Sequence, residues 1–179
     1  MIEPHVILVD QNDQERGTMP KMEAHIKGEL HRAISVFIFD MEGNWIIQQR
    51  AKDKYHSANL LSNACCTHPF PGETTQHSAN RRLIEEMGLD CELAFAFSFI
   101  YKASLDHDLI EHELDHVFVG YTTEIPKPNP DEVSAWRLIN YDMLQEDVQH
   151  YPERYTEWFK LIYHKVQMFL TINQPHQKN

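Results

Sequence analysis

The sequence has few cysteines, little positive charge and no long apolar run. Its three cysteines in 179 residues include one adjacent pair and no C-x-x-C spacing, so a disulfide framework is excluded and a reducing compartment is expected. No apolar stretch approaches the roughly 18 residues of a membrane span. The first residues lack the basic start and apolar core of a signal peptide. We therefore expect a cytoplasmic protein with no membrane partner.

The scarcity of positive charge also limits the partners. Lys and Arg number 16 against 27 Asp and Glu, and the formal net charge is −11. Such a surface repels nucleic acid, which we do not expect as a ligand. Apolar residues make up 42% of the chain, as in a globular protein, and the length suits one domain over residues 1–179. An anionic small molecule would need a local basic cluster or a divalent cation.

The hydrophobic patterns predict strands, with helices between and after them. Strands are predicted at 6–9, 33–39, 45–49, 60–66, 92–102, 113–123 and 135–139. A helix is predicted over 74–87, with Gly88 as its left-handed C-cap, and an amphipathic helix around 158–170. This order indicates an α+β fold, an α/β/α sandwich.

Two motifs carry most of the functional information. Residues 63–69, NACCTHP, place a thiol and an imidazole two positions apart before a proline, and residues 81–89, RRLIEEMGL, place paired carboxylates before a glycine. The second run resembles a Nudix box in altered form. Thr67 and Arg82 replace the family's glycine and first helical glutamate, and the pattern is kept at Glu73, Arg81, Leu83, Glu85, Glu86, Gly88 and Leu89. The altered box and the Asn-x-x-Cys-x-His-Pro run together resemble the type I isopentenyl-diphosphate isomerases, which implies a Nudix fold with a mixed central sheet.

Twelve histidines make any single one weak evidence, but a few stand out by context. Glu111 and Glu113 are alternate residues leading into a predicted strand, so both point to one face. The isomerase resemblance implies a metal site built from His25, His31, His68, Glu111 and Glu113. The spacing from His25 to His31 is one residue shorter than the family's. Imidazole and carboxylate ligands suit Mn²⁺, Zn²⁺ or Fe²⁺.

A competing motif overlaps this region. Residues 112–116, HELDH, fit the H-E-x-x-H pattern of zinc metalloproteases. That pattern requires a helix, on which positions i and i+4 lie about 6 Å apart. The residues that follow predict a strand, on which the two histidines lie roughly 13 Å apart. The protease interpretation is therefore rejected.

The resemblance also implies a diphosphate site. It assigns a Mg²⁺ ion to Glu86, the Cys66 carbonyl and oxygens of a small-molecule prenyl diphosphate. The family's diphosphate-contacting positions are occupied by Lys21, Arg50, Lys54 and Arg82. Taken singly, each basic residue is equally well explained as an ordinary surface side chain. The box pairs Arg81–Glu85 and Arg82–Glu86 are likewise explained as i,i+4 surface pairs.

The implied reaction interconverts isopentenyl and dimethylallyl diphosphate. One proton is added at the terminal alkene carbon and another is removed from the carbon nearer the oxygen, through a carbocation-like state. The resemblance makes Glu113, through Tyr101, the proton donor and Cys66 the base, although the residues themselves leave this order open. Trp158 would face the cation, and core packing explains it equally well. Strand alternation puts Cys65 on the face opposite Cys66.

Two other functions compete with the isomerase. A Nudix pyrophosphohydrolase acting on a nucleoside or prenyl diphosphate explains the box but gives no role to Cys66. A catalytically silent binding module predicts lesions at catalytic positions, and the sequence has none at Cys66, Tyr101, Glu86 or Glu113. The identity of the metal, the oligomeric state (monomer or weak homodimer) and the downstream pathway stay open.

Overall fold

A computed structural model describes residues 4–54 and 56–173. Its strands are β1 (His5–Val9), β2 (Glu15–Pro20), β3 (His31–Phe39), β4 (Trp45–Arg50), β5 (Leu61–Ser62), β6 (Cys65–Thr67), β7 (Leu93–Ser104), β8 (Ile110–Tyr121) and β9 (Val133–Ile139). Its helices are α1 (Lys21–Lys27), α2 (Thr75–Met87), α3 (Tyr141–His150) and α4 (Glu157–Asn173). No helix in this part of the chain has the length and apolar character needed to cross a membrane.

The nine strands form one mixed sheet, as the resemblance implied. β3 contacts four neighbours: it runs parallel to β8 along its whole length and antiparallel to β1, β4 and β6. β7 extends the sheet beyond β8, and β9 extends it beyond β4. The start of β3 therefore lies beside β8 and close to β6, which brings three segments of the chain together.

Successive side chains of β3 point to opposite faces of the sheet and pack in two hydrophobic cores, one on each face. Ile34, Val36 and Ile38 pack in the core on the α2 side. Phe37 and Phe39 pack on the opposite side, where Phe37 stacks on Phe159 of α4. Helices thus cover both faces, which confirms the predicted α/β/α sandwich.

The box helix α2 begins and ends where the sequence indicated. The Thr74 hydroxyl accepts a hydrogen bond from the His77 amide at 3.2 Å, a side-chain N-cap. Gly88 ends the helix with φ 61° and donates its N–H to the Ile84 carbonyl. A Cβ atom at Gly88 would lie 2.6 Å from the Lys127 carbonyl oxygen, so close packing as well as backbone conformation requires glycine.

Some elements differ from the prediction. The strand predicted over 60–66 is two short strands, because Asn63 interrupts the ladder and its Nδ2 donates to the carbonyls of Val36 and Cys65. Helix α1 was not predicted, since seven residues are too few for a periodic signal. Helix α3 was also missed, although Asn140 caps it by accepting from the Met143 amide at 2.9 Å. Strand β2, an exposed edge strand, was the third omission.

Candidate active site

The site begins with a row of three facing residues across β3, β8 and β7. His31 is the parallel partner of Glu113, and Glu113 is the antiparallel partner of Tyr101. Further along the same face, Ser35 of β3 is the direct partner of Cys66 in β6. Strand pairing therefore places an imidazole, a carboxyl, a phenol hydroxyl and a thiol on one side of the sheet.

These side chains border a cavity of about 320 Å³, a size suited to a small molecule. Among the residues expected to act, the cavity is lined by Lys21, Arg50, Lys54, Cys66, His68, Arg82, Glu86, Tyr101, Glu111, Glu113 and Trp158. His25 and His31 lie behind His68, with ring centroids 5.4 Å and 4.9 Å from its own. All the predicted site residues are therefore gathered at one end of the sheet.

Four residues form a group able to hold a metal ion. His25, His31, His68 and Glu113 each offer one ligand atom, and all four atoms lie within 4.8 Å of one another. Nε2 of His68 lies 3.2 Å from Nε2 of His31 and 2.9 Å from Oε1 of Glu113. Tetrahedral ligands on bonds of 2.0–2.1 Å are about 3.4 Å apart, so the spacing fits a metal ion.

The histidine tautomers point to the same use. Nδ1 of His25 lies 2.7 Å from the Lys21 carbonyl and Nδ1 of His31 lies 2.8 Å from the Glu29 carbonyl. A carbonyl only accepts, so each Nδ1 carries the proton and each Nε2 presents a lone pair, the usual arrangement behind a metal. Nε2 of His25 is buried and has no hydrogen-bond partner among residues 4–54 and 56–173. Burial lowers the pKa of His25, and lowers that of His68 to about 3, which favours the neutral imidazoles that a metal ion would need.

Glu111 lies beside this group rather than within it. Its Oε2 is 3.0 Å from the Tyr101 hydroxyl, and its Oε1 is 3.9 Å from Nε2 of His56. Burial and the neighbouring charge of Glu113 raise the pKa of Glu111 well above its usual range. For Glu113, burial acts in the same direction, but the adjacent imidazoles of His31 and His68 outweigh it and hold its pKa well below that range. The pKa values of the two neighbouring carboxyls are therefore shifted in opposite directions.

Cys66 makes polar contacts that are not seen for Cys65 or Cys91 within residues 4–54 and 56–173. Its Sγ is 3.2 Å from Asn63 Nδ2, 3.3 Å from Asn63 Oδ1 and 3.5 Å from the Ser35 hydroxyl. Burial, with the charge of Asp115, raises the pKa of the Cys66 thiol above its usual range. Cys65 is buried in the core on the α2 side, so the predicted division of the two cysteines between the faces is confirmed.

The end of α2 carries a partly buried ion-pair network. Arg82 donates to Glu86 Oε1 and to Glu132 Oε2, both at 2.7 Å, and Lys54 also pairs with Glu132. Gln48 donates to the other Glu86 oxygen at 2.8 Å. The i,i+4 pair of Arg82 and Glu86 exists, but Glu86 is only 3% exposed, so this pair is not the solvated surface pair of the simpler explanation. Burial raises the pKa of Glu86.

The remaining predicted residues in the cavity lining are two cations, Lys21 and Arg50, and the aromatic Trp158. Burial lowers the pKa of Lys21 to about 8, with a contribution from the nearby cation of Lys54. The Arg50 guanidinium lies 5.3 Å from the centre of the Trp158 ring. Trp158 itself is 3% exposed, packs in the α4 core and donates from Nε1 to Asn63 Oδ1 at 3.2 Å. It therefore belongs both to the core and to the cavity wall.

Sequence reasoning missed several residues at the site. His56 lies edge-on to Trp158, with ring centroids 6.0 Å apart, and burial lowers its pKa to about 3. Glu132 pairs both with Arg82 of α2 and with Lys54 of the loop after β4. Ser35 donates to Asp115 at 2.7 Å, and burial raises the pKa of Asp115 to about 8. The available signal for Asp115 was its spacing: it follows Glu111 and Glu113 at the same two-residue interval and so shares their face of β8.

The H-E-x-x-H residues lie on a strand, which confirms the rejection of the protease motif. All five belong to β8. Nδ1 of His112 lies 2.9 Å from the Gly28 carbonyl, whereas Nε2 of His116 pairs with Asp13 at 3.0 Å. The two imidazoles therefore serve separate contacts.

Fold and site together define a Nudix-type sandwich with a buried His/Glu group beside a basic cavity. Residues 29–159 match the family model described as NUDIX domain. The chain is 50% identical to isopentenyl-diphosphate Delta-isomerase of Pectobacterium atrosepticum over 161 residues, 90% of each chain. It is also 50% identical to isopentenyl-diphosphate Delta-isomerase 1 of Aromatoleum aromaticum, covering 89% of this chain and 90% of that one. The chain therefore belongs to the NUDIX-domain family and, within it, to the isopentenyl-diphosphate Delta-isomerases.

Solved structures support the fold alone. A crystal structure of DR0079 from Deinococcus radiodurans has a TM-score of 0.75 at 16% identity, covering 90% of this chain and 98% of that one. The MutT protein of Methanosarcina mazei has a TM-score of 0.63 at 15% identity, covering 82% and 96%. Both share the Nudix sandwich with this chain.

Proposed function

We propose that the protein interconverts isopentenyl diphosphate and dimethylallyl diphosphate by transferring protons at two carbons. The observation that carries this proposal is the placement of Cys66 and the Tyr101–Glu113 pair on one cavity wall, beside a basic cluster. A simple diphosphate hydrolase has no use for a thiol in this position. The names of relatives that are 50% identical over nine-tenths of the chain support the same conclusion.

The proposed division of labour follows from where each group lies. Lys21, Arg50, Lys54 and Arg82 hold the diphosphate, and the apolar part of the substrate extends toward Trp158. Cys66 and Glu113 give and take the two protons, with Tyr101 hydrogen-bonded to Glu113. In the ligand-free protein the thiol keeps its proton and Glu113 is ionised, because burial raises the pKa of Cys66 and the histidine contacts lower that of Glu113. A carbocation-like state requires that water be kept from the reacting carbons, so the bound substrate would have to fill the open side of the cavity.

Two divalent cations complete the proposal. His25, His31, His68 and Glu113 would hold Mn²⁺, Zn²⁺ or Fe²⁺, with Glu111 as a fifth ligand after a small movement. A Mg²⁺ ion would be held by Glu86 and the Cys66 carbonyl. When bound, these ions supply positive charge that fixes the carboxylates and the diphosphate. A small prenyl diphosphate is the proposed partner, and the cytoplasmic location stays a prediction.

The test is an NMR assay of the purified protein with isopentenyl diphosphate and Mg²⁺ in D₂O. We expect dimethylallyl diphosphate with deuterium in its methyl groups. Cys66→Ala should abolish it, whereas the matched variant Cys65→Ala, on the other face of the sheet, should retain it. Intact substrate with fully metallated protein would overturn the proposal. Release of phosphate without alkene migration would establish the pyrophosphohydrolase instead.

A further inference from the structure

His56 lines the cavity but belongs neither to the metal-binding group nor to the basic cluster. Its side chain is buried, with 6% of the residue exposed. The imidazole lies edge-on to Trp158, and its centroid is 6.5 Å from that of the His25 ring. Nε2 is 3.9 Å from Glu111 Oε1, too far for a hydrogen bond. The ring therefore occupies space in the cavity wall beside Trp158.

The backbone that carries this imidazole is held by two other segments of the chain. Arg50 donates from Nε to the Ser57 carbonyl at 3.1 Å and from Nη2 to the His56 carbonyl at 3.2 Å. The Ser57 amide donates to Asp106 Oδ2 at 3.3 Å, in the turn between β7 and β8. Ser57 has a φ of 51°, which is uncommon for a residue with a side chain. These contacts therefore maintain a conformation that the loop alone would not favour.

The two aromatic side chains are also fixed in orientation. Nδ1 of His56 lies 3.2 Å from the Ser57 hydroxyl, and Trp158 packs in the α4 core. Neither ring can move aside without disturbing these contacts. A wall that cannot yield rejects extra bulk, because overpacking forces side chains and backbone out of their preferred positions. The two rings therefore form a rigid part of the cavity wall.

We propose that His56 is a specificity-determining residue, whose imidazole limits the bulk of the branched hydrocarbon accepted beside Trp158. Asp106 is a positioning residue, since it acts only through the backbone at Ser57. The proposal rests on the proposed function for its substrate class, a branched five-carbon diphosphate whose hydrocarbon lies toward Trp158. Because the limit is one of size, it affects binding as well as turnover.

The test measures binding by calorimetry, in the presence of Mg²⁺, with saturated diphosphates that have no double bond to isomerise. Isopentyl diphosphate has the five-carbon skeleton, and its homologue carries two ethyl branches in place of the methyl branches. The native protein should bind the homologue about tenfold more weakly or worse. His56→Ala should reduce this ratio to within about threefold. His56→Phe, which keeps a ring of similar width, should retain the native ratio.

Further variants test the role of the turn. Asp106→Ala should lower the ratio at least about threefold, because the loop loses one of its two holds, whereas Asp106→Asn keeps an acceptor for the Ser57 amide and should stay within twofold. Asp53→Ala, which removes an exposed carboxyl of the same loop, is the matched control. Inorganic diphosphate, which lacks the hydrocarbon, should bind every variant within twofold. An unchanged ratio in H56A would overturn the proposal, as would an equal loss in H56F.

The size limit and the proposed function can fail separately. If the native protein does not isomerise isopentenyl diphosphate while the binding ratios behave as expected, the proposed function fails and the size limit stands. If turnover is observed but H56A discriminates like the native protein, the size limit fails and the function stands. Thermal transitions report folding, and should H56A not fold, His56→Ser replaces it with the same expectation.

Discussion

Tyr101 and Glu113 face each other on adjoining antiparallel strands, and the Tyr101 hydroxyl donates a 2.6 Å hydrogen bond to Glu113 Oε2. The same hydroxyl lies 3.0 Å from Glu111 Oε2. It therefore joins a carboxyl whose pKa is raised, Glu111, to one whose pKa is lowered. Neighbouring acids whose pKa values are shifted in opposite directions are typical of sites that move protons.

Tyr101→Phe should consequently slow the chemical step and leave substrate binding intact. It removes only the hydroxyl, so we expect kcat to fall about tenfold to a hundredfold with KM within twofold, as for loss of a proton-transfer aid. Steady-state kinetics with isopentenyl diphosphate measure both. Tyr121→Phe, 45% exposed at the end of β8, is the matched control. A raised KM with unchanged kcat would contradict the role.

Removing the metal should lower stability as well as activity. The His25, His31 and His68 rings share a buried space with Glu113, and an ion that binds only the folded protein stabilises it by mass action. Chelation should lower Tm by several degrees, and Zn²⁺ or Mn²⁺ should restore it. His25→Ala should abolish the response, whereas the exposed His150→Ala should keep it. An unchanged Tm after complete demetallation would contradict a structural contribution from the ion.

Glu86→Gln should weaken the dependence on Mg²⁺ without unfolding the protein. The amide keeps the size of the side chain and can still contact Gln48, but it lacks the charge a hard cation prefers. We expect the Mg²⁺ concentration for half-maximal rate to rise at least tenfold. The neighbouring Glu85→Gln, whose side chain is 43% exposed, should stay within twofold. Equal effects of the two substitutions would contradict a specific role of Glu86 in Mg²⁺ binding.

The sequence predicted individual helices and strands far better than the contacts between residues that are distant in the chain. Helix α2 was predicted from its helical pattern and its C-cap glycine, and the shared face of Glu111 and Glu113 from strand alternation, because both depend on neighbours in the chain. Glu132 was not foreseen, because its contact with Arg82 spans 50 positions and needs the loop after β8. Asp115 was passed over for the same reason, since its partner Ser35 is 80 positions away. The resemblance supplied the site residues, and their roles stay predictions.

Glu73 should contribute to acid stability. Hydrogen bonds from Arg81, at 2.8 Å and 3.0 Å, lower its pKa from 4.5 to about 2. A carboxyl whose pKa is lowered by folding stabilises the folded state at pH values above its unfolded pKa of 4.5. This contribution is lost as the pH falls from 4.5 toward 2. Allowing for solvent screening, about 1 kcal/mol is expected, or roughly 2–4 °C in Tm. Glu73→Gln should therefore lower Tm at pH 6 and converge with the native protein near pH 2; parallel curves would refute this.

Substitutions of Trp158 can distinguish core packing from stabilisation of a cation, since the residue belongs both to the α4 core and to the cavity wall. Phe keeps an aromatic face and Leu does not, while both lose the indole bond to Asn63. A desolvated cation–π contact is worth about 2 kcal/mol, which corresponds to roughly thirtyfold in rate. Trp158→Leu should therefore have a kcat about thirtyfold below that of Trp158→Phe, with similar losses in Tm.

The control for Trp158 lies one residue further along α4. Phe159 is 0% exposed and packs in the same core, outside the cavity lining. Phe159→Leu should lower Tm and leave kcat unchanged well below the transition, because it removes packing without touching the reacting centre. Were Trp158→Leu and Trp158→Phe equally active, the indole would be a packing residue only, and the cation would have to be stabilised by the diphosphate and the carboxylates around it.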